Sequence, residues 1–534
     1  MHPSLPILAL CSLSLSAWTA AYTSTEAPLR NANHIFNVIH DSMRQWGSSL
    51  HHNGVSFLLA SVPAGTLFYH GTSESSPVNG TEWLAFEPEH AIVFAGPRWG
   101  GPPPPPSPPG DEDDSGNHHR DELRRREDGF AEDGPPPLEN MDQDEQGAGY
   151  LHTYAATRNL RLLYLDGMSA GKTNKGTLDS QDVLLFNRSL NAAPRKERGP
   201  GPPGERERAM KACEMAENEW AGRIDGVLRM EAGFEIILCR FERDLTPLRI
   251  TQVKAQSKDG KPGPRQGMKM GPGDGPGDGG KKRKGPPRGG PDSSRWMRAI
   301  AARYDGIGGD RVSLNYDNFV TAFSHDVNLF PENTTLPRLE HLSSAALDAI
   351  RTQLTSLILT RDPEEDSWNW QRTTDMIVTR YSDELSYLAS GKFTVLENLR
   401  DHIELLMSSF IDYRERDPRL EAERCATQFL PLQVQDVKTV PARAVHSVAR
   451  SVCSTLLQAW EEETLDAAVQ RVRSLIGYLD WTTWKACRGC AEDEICVVPI
   501  WPMGTVADYE NPSCKLASNP FDSDGESYWG GMHG

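Results

Sequence analysis

The chain has 534 residues, 56 Lys and Arg against 74 Asp and Glu for a formal net charge of −18, 38% hydrophobic residues and 13 tryptophans. That is enough apolar material for two or three folded domains interrupted by polar insertions. The acidic balance argues against a general nucleic-acid binder, which needs basic surface to displace counterions.

The N-terminus carries an apolar run from Leu5 to Leu15, then "AWTAAYTS", with Thr19 and Ala21 as the small residues before a cleavage point. This reads as a secretory signal peptide over residues 1–21 and implies an extracellular protein. The run is shorter than the roughly 20 apolar residues of a spanning helix, and no later segment reaches that length, so no stable membrane association is expected. Removing the leader removes Cys11 and leaves eight cysteines, an even number suited to disulfide bonding. Asn79, Asn187 and Asn333 begin glycosylation sequons, which fit the same route.

Past the leader, short apolar runs bounded by Gly, Pro, Asn or Asp predict strands at Val55–Ala60, Thr66–Tyr69, Ala91–Ala95, Leu160–Leu165, Val183–Phe186 and Phe234–Cys239. A helix is expected over Arg206–Trp220. Residues 22–255 therefore read as an α+β domain. Its insert at 100–149 opens "GPPPPPSPPG", continues as a charge-dense acidic run and is expected to be disordered, as is the basic Gly/Pro-rich linker at 256–293. "KKRKGPPRGGP" in that linker reads as a solvated run, with Lys282–Arg283 as a candidate dibasic processing site. From 294 to 480 apolar residues recur at helical spacing, as in Leu339, Leu342, Ala346, Ile350, Leu354 and Leu357, or Val445, Val448, Val452, Leu456 and Trp460, which predicts a helical domain. Residues 481–534 form a cysteine-rich tail.

Several local patterns suggest chemistry and then fall short of it. "GMSAGKT" from Gly167 leaves three residues, not four, between the first glycine and the Gly-Lys-Thr of a phosphate-binding loop, so a glycine turn after an edge strand is preferred. Cys487, Cys490, Cys496 and Cys514 could hold zinc, but disulfides suit an exported chain better, and no metal is expected. "YDGIGGDRVSLNYDNF" begins like a calcium loop at Asp305. Ile307 and Gly309 occupy ligand positions and Tyr316 replaces the bidentate glutamate, which leaves a helix-loop-helix without strong calcium binding. His118 and His119 sit in the acidic insert with nothing to orient them.

Three segments gain meaning together: "LFYHGT" around His70, "EWLAFEPEHAIVFA" from Glu82, and "RIDGVLRMEAGFEIILC" from Arg223, in which Glu235 opens an apolar strand. Their order, over about residues 50–245, resembles the ADP-ribosyltransferase fold, especially its diphtheria-toxin-like branch. The resemblance implies NAD as a substrate, His70 holding its ribose, Gly71 and Thr72 beside it, and Glu235 stabilising positive charge on the sugar as nicotinamide leaves. The family's stacking tyrosine is missing, so Trp83 or Phe86 would supply the aromatic face. The acceptor is unknown. Breaking such a bond needs a carboxylate at the developing charge, an aromatic surface and a donor to fix the sugar. The alternative is a non-catalytic secreted glycoprotein that keeps the fold without the chemistry. By the texture of "LYLDGMSAGKT" and "CRGCAEDEICVVPIWPMG", the whole chain also resembles uncharacterised secreted proteins of filamentous fungi.

Overall fold

A computed structural model describes residues 29–95, 149–187, 204–253, 291–331, 334–435, 439–521 and 525–530. The expected leader at 1–21, nearly all of both expected inserts, His118, His119, Lys282, Arg283 and Asn333 lie outside the described residues. The first part of the chain folds around a large sheet and the later part is mainly helical.

In chain order, helices α1 (Ala32–Asp41) and α2 (Gln45–Leu50) lead into strands β1 (Asn53–Val62), β2 (Leu67–Thr72) and β3 (Glu82–Ala85). A short helix α3 (Pro88–Ala91) follows, then β4 (Tyr150–Ala156) and β5 (Leu160–Gly167). After a π-helical turn at Asp179–Leu185 come α4 (Glu205–Asn218), β6 (Gly226–Met230), β7 (Phe234–Leu238), α5 (Phe241–Asp244) and β8 (Leu245–Gln252). Beyond the basic linker, α6 (Pro291–Ala301) precedes a last strand of the sheet, β9 (Ser313–Thr321). The nine strands lie in the order β8-β4-β2-β3-β7-β6-β5-β1-β9. All neighbours are antiparallel except β5 and β6, joined by the crossover through α4.

Four expectations are corrected here. Ala91–Phe94 is helical, continuing from α3, whose first turn holds Pro88, a place proline favours, and Ala95 alone is extended. Val183–Phe186 belongs to the π-helical turn, an apolar run too short for periodicity to separate strand from helix. Strand β5 is not an edge but lies between β6 and β1. The segment after Asp305 is not a helix-loop-helix: Ser313–Thr321 pairs with β1, Ser61 facing Ser313 and Ser56 facing Thr321. The sheet therefore draws its ninth strand from beyond residue 293, and α6 begins inside the expected linker.

The helical part contains α7 (Ser344–Thr360), α8 (Trp370–Ala389), α9 (Leu396–Met407), α10 (Pro418–Thr427), α11 (Leu432–Gln435), α12 (Val440–Glu461) and α13 (Leu465–Leu479). The stripe Val445, Val448, Val452 and Leu456 is fully buried, as the helical spacing demands. Among the described residues no helix is long and apolar enough to cross a membrane. The tail holds α14 (Val506–Glu510) and a hairpin of β10 (Glu494–Val497) with β11 (Ser513–Leu516). The eight cysteines among the described residues are all paired: Cys213–Cys239, Cys425–Cys453, Cys487–Cys496 and Cys490–Cys514.

Helices α1 and α2 tie the sheet to the helical part through one buried carboxylate. Asp41 accepts from His40 Nδ1 at 2.8 Å, His51 Nδ1 at 2.7 Å and Thr482 Oγ1 at 2.9 Å. His51 Nε2 reaches Asp480, the left-handed residue that ends α13, at 3.2 Å. Burial alone would raise the Asp41 pKa, but the two imidazoles outweigh it and hold the carboxyl well below its usual range. Burial would likewise lower His51, yet its contacts with Asp41 and Asp480 raise it to about 10.

Candidate functional site

Strand register decides which of the proposed residues can meet, because partners across a ladder share a face and successive residues alternate. Tyr69 faces Ala85, Ala85 faces Glu235, and Glu235 faces Arg229. Those four side chains project from one face of the sheet. His70 is one residue on from Tyr69 and so projects from the other, with Phe68, Leu84, Ile236, Leu228 and Tyr164. The Tyr164 hydroxyl accepts from the Met43 backbone N–H, which marks this second face as the one covered by α1 and α2. The structure therefore does not bring His70 and Glu235 into a shared cleft.

On its own face His70 is a structural residue. It is buried, its Nδ1 lies 2.8 Å from the Trp83 carbonyl, and its ring packs edge-on against Phe241 and His152. Burial lowers its pKa to about 4, only partly opposed by the Trp83 carbonyl. A neutral imidazole then donates Nδ1–H to that carbonyl. Gly71 is fixed by packing: a Cβ there would lie 2.0 Å from the Ala91 carbonyl oxygen of α3. Thr72 Oγ1 accepts from the Glu74 N–H in a local turn. Phe86 is buried edge-on against Phe68 at 5.2 Å, with the Arg311 guanidinium over its ring, so it offers no free stacking face. Trp83 faces Ile237 on the Glu235 side of the sheet and is half-buried.

Glu235 sits in a dense ionic cluster. Arg229 donates Nε to its Oε1 at 3.0 Å and Nη2 to the same oxygen at 2.8 Å. The Arg229 Nη1 reaches Gln181 Oε1 at 2.9 Å, and Nη2 also contacts Glu205 at the start of α4. Lys172, the lysine of the apparent phosphate loop, lies 2.7 Å from Glu231 and 3.1 Å from Glu205, with its ammonium 5.1 Å from the centre of the Trp501 ring. Lys172 and Arg229 are completely buried. Burial raises the Glu235 pKa, aided by Glu231 and opposed by Arg229 and Lys172. Burial lowers that of Lys172, with Arg229 pushing the same way and Glu231 against it. Three carboxylates around two cations make an interlocked core of α4, β6, β7 and the turn after β5, whose positive groups are already engaged by protein carboxylates. Lys172 is thus paired with Glu231 and Glu205 instead of being left free for a phosphate.

Sequence reasoning missed Lys172, Arg229 and Glu205 as partners of Glu235, and the Asp41–His51 network altogether. The signal available for the first group was a run of charged residues inside strongly apolar strands, as Arg229 is in "GVLRM". The second joins residues more than 400 positions apart and leaves no local signal. Among the described residues, the groups of three or more side chains with metal-ligand spacing consist of Cys487, Cys490, Cys496 and Cys514 with Glu494. Those sulfurs are committed to disulfides.

A cavity of about 630 Å3 lies elsewhere, bordered by the loop after α6, β9 and the segment before α8. Neither His70 nor Glu235 lines it.

Residues 21–261 match the family described as the YPL277C N-terminal domain. Two Saccharomyces cerevisiae proteins are similar to the chain. The uncharacterized protein YOR389W is 34% identical over 228 residues, 40% of this chain and 32% of the relative. The uncharacterized protein YPL277C is 33% identical over 232 residues, 40% of this chain and 41% of the relative. The chain thus spans less than half the length of each curated relative it matches. No solved structure matches it. The matched stretch covers all of the sheet except β9, and includes the whole Glu235 cluster.

Proposed function

We propose that this is an exported, disulfide-stabilised binding or structural glycoprotein, and that residues 50–245 do not perform NAD chemistry at His70 and Glu235. The observation carrying this reading is the pairing of all eight cysteines after the leader, with no thiol left over. Stable disulfides belong to oxidising compartments. Asn79 and Asn187, the sequon asparagines among the described residues, are both exposed, as acceptors of a glycan must be. Against NAD chemistry stand the opposite faces of His70 and Glu235, the buried Phe86 and the commitment of Glu235 to Arg229.

Two measurements test the reading. Protein recovered from culture medium should begin near Tyr22, lose mass on deglycosylation and show no free thiol when unfolded without reductant. Purified protein should release no nicotinamide from NAD. A cytosolic protein with an intact Met1, or measurable nicotinamide release abolished by Glu235→Gln, refutes the corresponding half.

A further inference from the structure

A second groove, of about 490 Å3, opens where the turn between β1 and β2 approaches the loop before β9. Pro63 of that turn, Leu67 and Tyr69 of β2, Phe86, Asp310 and Arg311 line it. Leu67 is 43% exposed, a large apolar side chain left in water on a concave surface. Two hydrogen-bond donors remain beside it. The Tyr69 hydroxyl has no hydrogen-bond partner among the described residues. Arg311 donates to the carbonyls of Phe86, Gly308 and Ile307 and lies 3.7 Å from Glu87, which leaves at least one of the five N–H groups of a guanidinium without an acceptor.

An apolar surface with spare donors suits a proline-rich segment. A polyproline II helix has no internal hydrogen bonds, so its carbonyls accept from groove side chains while its rings pack on aromatic and aliphatic ones. Its φ angles are fixed in advance, which lowers the entropy lost on docking.

The chain carries such a segment within reach. Gly71 shares a face of β2 with Leu67 and Tyr69, and a Cβ on Gly71 would lie 2.9 Å from the Ala95 backbone nitrogen. Ala95, the last described residue before the insert, is therefore two residues along β2 from Tyr69, roughly 7 Å. Pro102, the first proline of "PPPPPSPP", follows after six residues, which span up to about 20 Å when extended. So short a tether gives an effective concentration on the order of millimolar, enough to fill a groove of weak intrinsic affinity. Trp99 to Gly110 carries no charge, whereas from Asp111 the insert is acidic and is repelled by Asp310. The match is confined to the proline run.

We propose that Pro102–Pro109 of this chain docks in the groove of Leu67, Tyr69 and Arg311, with its rings on Leu67 and Tyr69 and its carbonyls accepting from the Tyr69 hydroxyl and Arg311. The groove is then an intramolecular recognition site, which a proline-rich segment of another chain enters only by competition. This inference goes beyond the reading of an exported glycoprotein and does not depend on it.

The test is hydroxyl-radical footprinting of the full chain, read by mass spectrometry, with and without replacement of the prolines at 102–106, 108 and 109 by serine. Those positions lie outside the described residues, so thermal unfolding of the variant should match wild type. Leu67 and Tyr69 should be oxidised about threefold faster or more in the variant, which corresponds to docking for at least two-thirds of the time in wild type. Leu248, 55% exposed on β8, serves as the control and should not change. A synthetic peptide of residues 100–110, added to the variant at about millimolar concentration, should restore the protection, and its all-serine counterpart should not. Equal oxidation of Leu67 and Tyr69 in the two proteins, restoration by neither peptide or by both, or a parallel change at Leu248 would each overturn the proposal. Wild-type protection that grows with protein concentration would assign the groove to a second copy and overturn it too.

Discussion

Replacing His51 with alanine removes a side chain that bridges Asp41 of α1 to Asp480 at the end of α13. In the folded chain the imidazole is held at a pKa of about 10, against 6.5 for a free histidine. That difference corresponds to about 5 kcal/mol of preferential stabilisation of the charged form, at 1.36 kcal/mol per unit. The Asp480 side chain is 62% exposed, so water screens that half of the bridge, and we expect a loss of about 3 kcal/mol, within the range for breaking a buried ion pair. A raised pKa stabilises the folded state fully below the unfolded value of 6.5, and the contribution fades as pH rises through about 10. The gap between wild type and His51→Ala should therefore be near its full size at pH 6 and under about 1 kcal/mol at pH 9.5. Urea unfolding at both pH values, followed by tryptophan fluorescence, measures it. Hydrogen exchange should show α1, α2 and residues 479–482 loosening together in the variant at pH 6. A gap that stays constant or grows between pH 6 and pH 9.5 would refute the assignment of a charged His51.

Arg229→Met should destabilise the protein by about 3–5 kcal/mol in urea unfolding, because it leaves Glu235 and Glu205 buried beside a single cation. Glu235→Gln keeps shape and one acceptor, so it should cost less than Arg229→Met; the reverse order would show that Glu235 dominates the cluster. Gly71→Ala should lower the melting temperature by several degrees, since its Cβ would overlap the Ala91 carbonyl; an unchanged transition would mean that α3 shifts freely away from β2. Removing the buried Cys425–Cys453 bridge by paired serine substitution should cost about 2–4 kcal/mol, read from the urea midpoint, and a smaller effect would point to relaxation between α10 and α12.

Much of this fold is legible in the sequence because its periodicities are local. The runs at 55–60, 160–165 and 234–239 became central strands, and the stripe at 445–460 became α12. Where a segment's partner is far away, the text carries little. Strand β9 reads as "SLNYDNFVT", polar enough to pass for loop, and becomes a strand because β1 offers it an open edge more than 250 residues earlier. The buried lysine of "AGKT" likewise looks like a phosphate ligand until α4 and Glu231 are folded around it.

The candidate site failed to assemble for a reason that chain order cannot reveal. Whether two residues on different strands share a cleft depends on the parity of the register, and one step along a strand moves a side chain from one face to the other. The order histidine, aromatic strand, glutamate is preserved here, yet Tyr69 rather than His70 stands in the row that leads through Ala85 to Glu235. A single residue of offset separates an arrangement that could grip a ribose from one in which the histidine ties β2 to β3 and the glutamate locks Arg229. The same parity gives each residue a different job in the core. His70 is neutral among aromatic rings on the face of α1 and α2, while Glu235 is surrounded by charge on the face of α4. Both side chains are already held by partners within the protein.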